Sequence, residues 1–382
     1  MFYLTVDLYH DFNCIAGSCP NTCCAGWDIN IDEAAYQKML DNEEALGISV
    51  KDCIYKRTDD YCMRLKSDGR CPMLDENNLC KIVLLFGPDY LSYTCSSYPR
   101  RHHQYGNVTE AYLFPSCPDV IDKLMTKDKV YFDFTENNSP VSPYPHTKLY
   151  LYESSVRTGI TELLYAFPNI SLSTRLFVSF NIINEAISHC EGDNPDFNIV
   201  KGYIDSYYAD GIMTSLDDQL QNMISEDNRY QFIPQFLSVL LNTVSAAILP
   251  DYIKLVRETL HYFSQVDSKQ FLEDITSFKE TIKPYDNFYT NYWVYLMFSE
   301  LISIPDYSKT RGNFIYTCIQ FCLIQMVALA SYVQNKTLDK DKYIYITSVV
   351  NRMQHLGLRK KLIEQLGESN LISNVGILLL II

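Results

Sequence analysis

Apolar residues recur at helical spacing through most of the chain beyond residue 148. Leu176, Phe180, Ile183 and Ile187 fall at i, i+4, i+7 and i+11, which places them on one face of a helix. Phe236, Leu240 and Val244 repeat that spacing, and Pro250 bounds the helix they predict. Tyr289, Trp293, Leu296 and Phe298 crowd a further amphipathic run, closed by Pro305. Residues 314–333 are mostly apolar but carry Thr317, Gln320, Gln325 and Ser331, with Asn313 and Gln334 at the flanks. Those polar interruptions predict a buried helix rather than a bilayer span. Residues 375–382 form an apolar stretch too short to span, read as a docked terminal strand or helix, or a truncation point.

The first third of the chain has a different pattern. Residues 27–31 alternate apolar and polar, as a short strand does. Asp32 then caps a predicted helix through Leu40, with Ala35, Tyr36 and Met39 on neighbouring faces. Residues 135–147 hold Pro140, Pro143 and Pro145 and read as a linker. The expected fold class is therefore mainly α. A cysteine-rich metal-binding module of short strands and helices, residues 1–134, packs on a helical domain, residues 148–382.

Composition narrows the function. The chain has 382 residues, 47% hydrophobic and 20% charged, enough to bury a core. Its 14 glycines include no Gly-x-Gly, so glycine-rich phosphate loops and the dinucleotide fingerprint are absent. A net charge of −14 disfavours nucleic acid and anionic membrane surfaces, which repel it. The N-terminus, Met1-Phe2-Tyr3-Leu4-Thr5-Val6-Asp7, has no basic region and no cleavage site of a signal peptide. A cytoplasmic location follows as the expectation, where thiols hold metal more often than they pair as disulfides.

Ten of the 13 cysteines lie within the first 117 residues. They run Cys14-x4-Cys19-x3-Cys23-Cys24, then Cys71-x8-Cys80, Cys95 and Cys117. Thiolates are soft anionic ligands, and four can enclose zinc or an iron–sulfur cluster. In an extended chain the adjacent Cys23 and Cys24 point to opposite faces, so they serve different centres or one is a spectator. Cys53 and Cys62 precede Cys71 at its own nine-residue interval and read as spectators. Cys190, Cys318 and Cys322 sit on apolar helical faces and read as core.

The cysteine blocks resemble those of the flagellin lysine N-methylase family. Cys14-x4-Cys19-Pro20-Asn21-Thr22-Cys23-Cys24-Ala25-Gly26-Trp27-Asp28-Ile29 is similar to its opening motif. Arg70-Cys71-Pro72-Met73-Leu74, Asn78-Leu79-Cys80-Lys81-Ile82, Leu91-Ser92-Tyr93-Thr94-Cys95-Ser96-Ser97-Tyr98-Pro99-Arg100 and Ser116-Cys117-Pro118-Asp119 follow in the family's order. The dense resemblance covers roughly residues 12–122; beyond 148 it thins to a run such as Asn287-Phe288-Tyr289-Thr290-Asn291-Tyr292-Trp293. A broader group of zinc- or iron-chelating proteins shares the Cys-Cys and Cys-Pro-x-Leu elements. The resemblance implies methylation of lysine ε-amines on flagellin, with S-adenosylmethionine as donor and a cysteine-bound iron–sulfur cluster, 4Fe-4S in type. The implied ligands are Cys14, Cys19, Cys23, Cys24, Cys71, Cys80, Cys95 and Cys117, with zinc as the alternative metal.

The chemistry sets its own conditions. A lysine ammonium has no lone pair, so a methylase must desolvate it or supply a base, then align nitrogen, methyl and sulfur. The Cys-x3-Cys-x2-Cys signature of radical enzymes is absent, since Cys24 directly follows Cys23. Arg100, Arg101, His102 and His103 form a basic run. Arg100 and Arg101 are candidates to grip the donor carboxylate or tune nearby thiolates; the other reading of the run is a solvated turn. Two rival functions remain: a non-catalytic metal-chelating or electron-transfer protein, and a zinc-stapled scaffold that recruits flagellin without modifying it.

Overall fold

The computed structural model describes residues 2–57, 60–136, 145–190, 195–223, 226–243, 249–301, 306–307, 309–357 and 359–368. Val244, Pro305, residues 375–382 and most of the proline-rich stretch lie outside them.

Seven short strands occupy the first 136 residues: β1 (Phe2–Val6), β2 (Asn30–Ile31), β3 (Ile54–Lys56), β4 (Tyr61–Met63), β5 (Arg100–Tyr105), β6 (Val108–Leu113) and β7 (Phe132–Glu136). One sheet has the order β5-β6-β1-β7, with β1 parallel to β6 and antiparallel to β7. β5 and β6 form a hairpin whose turn uses Gly106 at φ +60°, backbone that glycine adopts freely. β6 is buried almost throughout because β5 and β1 flank it and helices cover it. The second sheet, β2-β4-β3, is antiparallel. The alternation at 27–31 yields only the two-residue β2, since the chain bends at Gly26, with φ +75°, and Trp27 before it.

Helices dominate the described residues beyond Glu136, and the described chain is mainly α as expected. Asp32 caps Glu33–Asp41 by accepting from the Ala35 N–H at 2.9 Å. Leu176, Phe180 and Ile183 are buried in Leu172–Ser188, with Ile187 partly so. Phe236 and Leu240 are buried in Glu226–Thr243, and Pro250 opens the following helix, Pro250–Gln265, at its first turn, where a missing N–H costs nothing. The run at 289–298 is not amphipathic: helix Asp286–Glu300 is buried on all sides from Phe288 to Ser299. Helix Lys309–Asn335 is long and apolar enough to cross a bilayer, yet it is enclosed in the fold. It packs against Leu172–Ser188, Pro250–Gln265, Ser268–Ile282, Asp286–Glu300, Lys340–Asn351 and Arg359–Glu368.

Two apolar cores form, and they do not follow chain order. The smaller lies within residues 29–82 and includes Ile29, Ile31, Met39, Val50, Met73 and Ile82. The larger joins Val6, Leu8, Phe12, Tyr112, Leu113, Val120 and Leu124 to the helical body. The N-terminal strand, β6 and helix Pro118–Thr126 are thus packed with the helices, and a small lobe projects from them.

Candidate metal centre

Four of the cysteines belong to the small lobe or pack on its core. The Cys71 N–H donates to the Cys24 carbonyl at 2.8 Å, tying the opening motif to the second block. Asp75 then closes a tight turn, accepting from the Asn77 and Leu79 N–H groups at 2.8 Å each, with Asn78 at φ +60°. That turn brings Cys80 back beside the Cys71 segment through a Leu74–Cys80 bridge. Cys95 sits in the helix Tyr93–Ser97, capped by Ser92. The same Asp32 that caps Glu33–Asp41 also accepts from the Tyr93 N–H at 2.8 Å, which fixes the Cys95 helix to the lobe. Cys71 belongs to the small core, and Cys24, Cys80 and Cys95 pack against it.

Cys19 and Cys23 flank the loop segment that meets the helical body in a seam, Cys117 belongs to the larger core, and Cys14 is exposed. Cys117 is placed from the body side. The Leu113 N–H donates to the Tyr295 hydroxyl at 2.9 Å, Asn351 donates to the Pro115 carbonyl at 3.3 Å, and Ser116 Oγ bonds His355 Nε2 at 2.8 Å. Cys23 is placed from the lobe side, its carbonyl accepting from Trp27 Nε1.

Arg352 spans the seam. Its Nη2 donates to the carbonyls of Asn21 at 2.7 Å and Thr22 at 2.6 Å, and its Nη1 to Ala25 at 3.0 Å. Asn21 in turn donates to Ser348 Oγ at 2.9 Å. Beside Arg352, the ring of His355 meets Trp27, Phe114 and Tyr98, with centroids 4.8, 4.6 and 6.1 Å away. Tyr98 completes a chain to Ser116 Oγ at 3.0 Å. All four rings are half-buried.

Burial governs the protonation of these groups. It pushes the thiols of Cys71, Cys95 and Cys117 up, Cys95 to about 11 and Cys117 to about 12. Cys24 goes the other way, to about 7: its sulfur accepts from the Cys23 thiol, and Thr22 and Arg352 assist. Burial, then the charges of Arg352 and Arg101, hold His355 neutral with its pKa down at about 4.

The other expected positions divide clearly. Arg100 is held in place: it donates to the Phe12 carbonyl at 3.1 Å and lies over the Phe12 ring at 5.0 Å. Arg101 is exposed on β5. Cys62 is buried in β4 and Cys53 ends a short helix, while Cys318 and Cys322 are buried in helix Lys309–Asn335. Cys190 packs partly buried against the larger core. No disulfide forms among the described cysteines. A mixed-charge cleft of about 540 Å³ lies over the Asp75 turn, with Lys66, Arg70 and Lys81 facing Asp68, Asp75 and Glu76. Among the described residues, no group of three or more His, Cys, Asp or Glu side chains is drawn together tightly enough to hold a single metal ion. The donor chemistry is nonetheless that of a thiophilic centre, with eight thiols around one seam and lobe. Arg352 and His355 escaped sequence reasoning because they lie more than 230 residues from the groups they bind and in no cysteine block.

Residues 164–381 match the family described as the FliB lysine N-methylase C-terminal domain. The chain belongs to the FliB lysine N-methylase family. The matched segment is the helical body, so the half that resembled the family most thinly is the half that the match covers. A lysine-N-methylase of Salmonella choleraesuis is 27% identical over 288 residues, covering 70% of this chain and 69% of that one. A lysine-N-methylase of Salmonella typhimurium is 26% identical over the same length and coverage. The flagellar biosynthetic protein FliU of Salmonella muenchen is 32% identical over 120 residues, 30% of this chain and 71% of that protein. No solved structure matches. For this member of the methylase family, Arg352, His355 and Asn351 lie inside the matched segment and reach out of it to the cysteine loops.

Proposed function

We propose that this chain methylates lysine ε-amines of flagellin in the cytoplasm, with S-adenosylmethionine as donor and an iron–sulfur centre held by cysteine. The observation that carries the reading is the seam, where cysteine thiols, a neutral histidine and three aromatic rings meet in a member of the lysine N-methylase family. Cys14, Cys19, Cys23, Cys24, Cys71, Cys80, Cys95 and Cys117 are the candidates from which the centre's ligands would come, and a centre with one iron not bound by cysteine would supply an anchor for the donor's amino and carboxylate groups.

The chain's own groups account for the rest. The faces of Trp27, Tyr98 and Phe114 favour cations, which suits both a sulfonium and a lysine ammonium. Neutral His355 adds no repulsion there. Half-buried rings strip water from an entering lysine, which lowers its pKa and frees the lone pair for attack. Arg101, exposed near His355, is the cation available to a donor carboxylate, since Arg100 is committed to Phe12. A net charge of −14 draws in a lysine-bearing protein.

The test is direct. Protein purified without oxygen should be brown, and incubation with flagellin and methyl-labelled donor should place label on lysine. An intact, metal-loaded protein that leaves flagellin unlabelled would instead be a metal-binding protein without this activity.

A further inference from the structure

We infer that Glu300 is the group that receives the substrate's lysine: its unbonded oxygen, Oε1, binds the ε-ammonium and takes its proton, and the Tyr316 hydroxyl holds the amine that remains. This rests on the methylase reading above and adds the base that the reaction needs. The site lies at the C-terminal end of helix Asp286–Glu300.

Glu300 has one oxygen in use and one idle. Arg359 Nη2 donates to Oε2 at 2.9 Å, while Arg359 Nη1 donates to Asn313 Oδ1 at 2.5 Å. Oε1 is buried and has no hydrogen-bond partner among the described residues. A carboxylate oxygen in that state costs free energy until a donor reaches it. The Arg359 guanidinium also lies over the Tyr316 ring at 4.8 Å, and the charges of Arg359 and Glu300 both act on Tyr316. The Tyr316 hydroxyl is likewise buried and unbonded. Two polar atoms on different helices, each without a partner and both beside one guanidinium, call for a small polar ligand. An amine meets both needs. Burial raises the Glu300 carboxyl above its ordinary range, with Arg359 and Arg101 opposing, and the same burial lowers an entering ammonium, so the two come closer to an even exchange of the proton.

The site adjoins the seam. Arg101 pairs with Tyr112 across β5 and β6, and cross-strand partners share a face, so Arg101 rises from the face that meets the helical body. Its charge acts on Glu300 and on His355 alike. A run of rings covers the interval. Phe298, two residues before Glu300, meets Tyr112 at 6.4 Å, Tyr112 meets Phe114 at 6.0 Å, and Phe114 meets His355 at 4.6 Å. Arg359 itself follows His355 by four residues. The way in is from the rim, where the Glu300 side chain is 10% exposed, that of Arg359 is 33% exposed, and Arg101 is exposed. His355 is a poor rival, because an imidazole with its pKa down at about 4 holds a proton too weakly to take one from an ammonium. In the step, one ε-ammonium proton moves to Glu300 Oε1. The freed nitrogen lone pair forms a bond to the donor's methyl carbon, and the carbon–sulfur bond breaks with its electron pair staying on sulfur. The sulfonium becomes a neutral thioether, the product is a methylammonium, and the proton on Glu300 leaves to water.

Two measurements on full-length protein prepared without oxygen decide the matter. Glu300→Gln keeps a carbonyl oxygen for Arg359 and should lower kcat for flagellin methylation about 100-fold. Its rate should rise about tenfold per pH unit, because solution then supplies the free amine. Tyr316→Phe removes one unbonded hydroxyl and should lower kcat about tenfold, the worth of one hydrogen bond, with metal content and unfolding midpoint unchanged. The second measurement needs no turnover. Binding of flagellin with S-adenosylhomocysteine present should weaken about tenfold in Glu300→Gln. Flagellin with its lysines acetylated carries no ε-ammonium and should bind both proteins alike. Wild-type kcat in Glu300→Gln and Tyr316→Phe proteins of native helicity overturns the assignment and leaves the methylase reading intact. Wild type that leaves flagellin unlabelled yet shows the binding difference overturns the methylase reading and keeps the ammonium site; neither label nor binding difference overturns both. Should Glu300→Gln fail to fold, Tyr316→Phe alone decides.

Discussion

Arg352 donates to the carbonyl of Asn21 at 2.7 Å, joining positions 331 apart in the chain. With Thr22 and Ala25 it makes three bonds from one charged group, and no other residue described here binds the cysteine loop so extensively. Arg352→Ala leaves three carbonyls without their donor and should destabilise the protein by about 3 kcal/mol, given 1.5–3 for a bond to a charged group. Arg352→Lys, with no fork, should recover only part of that. Urea unfolding measures the loss, and metal per chain should fall in parallel. Unchanged unfolding midpoints and full metal content in Arg352→Ala would remove its role.

Glu153 is buried with Oε2 unbonded, beside the Arg157–Glu110 pair, in which Arg157 Nη2 and Glu110 Oε1 are 2.5 Å apart. Burial raises its pKa from 4.5 to about 7, with Arg157 opposing and Glu110 adding. A raised carboxyl pKa means the folded state holds the proton more tightly, so the stabilisation is complete below pH 4.5 and is lost as pH rises through 7. By linkage the loss approaches about 3 kcal/mol. Glu153→Gln should flatten this slope, so that its unfolding midpoint at pH 8.5 exceeds that of wild type. Parallel pH profiles for the two proteins would count against the assignment.

The cysteines outside the candidate ligands serve as controls. Cys19→Ala, Cys71→Ala and Cys95→Ala should each lose metal, while Cys190→Ala and Cys318→Ala keep it. Buried Cys318 fills core space, so its loss should cost about 1 kcal/mol without touching metal content. Retention of full metal by all of the first three would refute the ligand assignment.

The aromatic seam predicts a kinetic signature. Trp27→Leu removes the largest ring beside His355 and should lower kcat/KM for flagellin methylation by tenfold or more, equivalent to about 1.4 kcal/mol or above. His355→Ala should act on the same step with metal content unchanged. A variant with normal turnover and lowered metal content would move Trp27 from the reaction to the scaffold.

Gly159 faces Ile204 across the contact between helices Thr147–Ala166 and Phe197–Ser206, where an added Cβ would lie 2.8 Å from Ile204 Cδ1. Gly159→Ala should destabilise by about 1–3 kcal/mol through overpacking. Ile204→Val deletes the clashing methyl, and the double variant should be more stable than Gly159→Ala alone. Thermal unfolding of the four proteins in the cycle reads the coupling.

Much of the candidate site was legible in the chain because sulfur is conspicuous. The spacing of Cys14, Cys19, Cys23 and Cys24 marks a local knot, and the adjacency of Cys23 and Cys24 raised the question whether both serve as ligands. The capping role of Asp32 was equally plain, since a cap acts on a residue three positions away. What spacing could not show was that Asp32 also holds the Cys95 helix 61 positions on. The helix at 289–298 misled because periodicity reports a helix with one dry face, and Asp286–Glu300 is dry all round.

Sequence alone determined which residues are soft ligands, that most of the chain is helical, and that a signature of the methylase family is present, for these follow from residue chemistry and short-range spacing. Tertiary structure decided what the cysteine loops pack against. Arg352, His355, Asn351 and Tyr295 reach the cysteine loops from helices far along the chain, and contacts between distant segments are set by how the two cores pack rather than by any pattern a single segment carries.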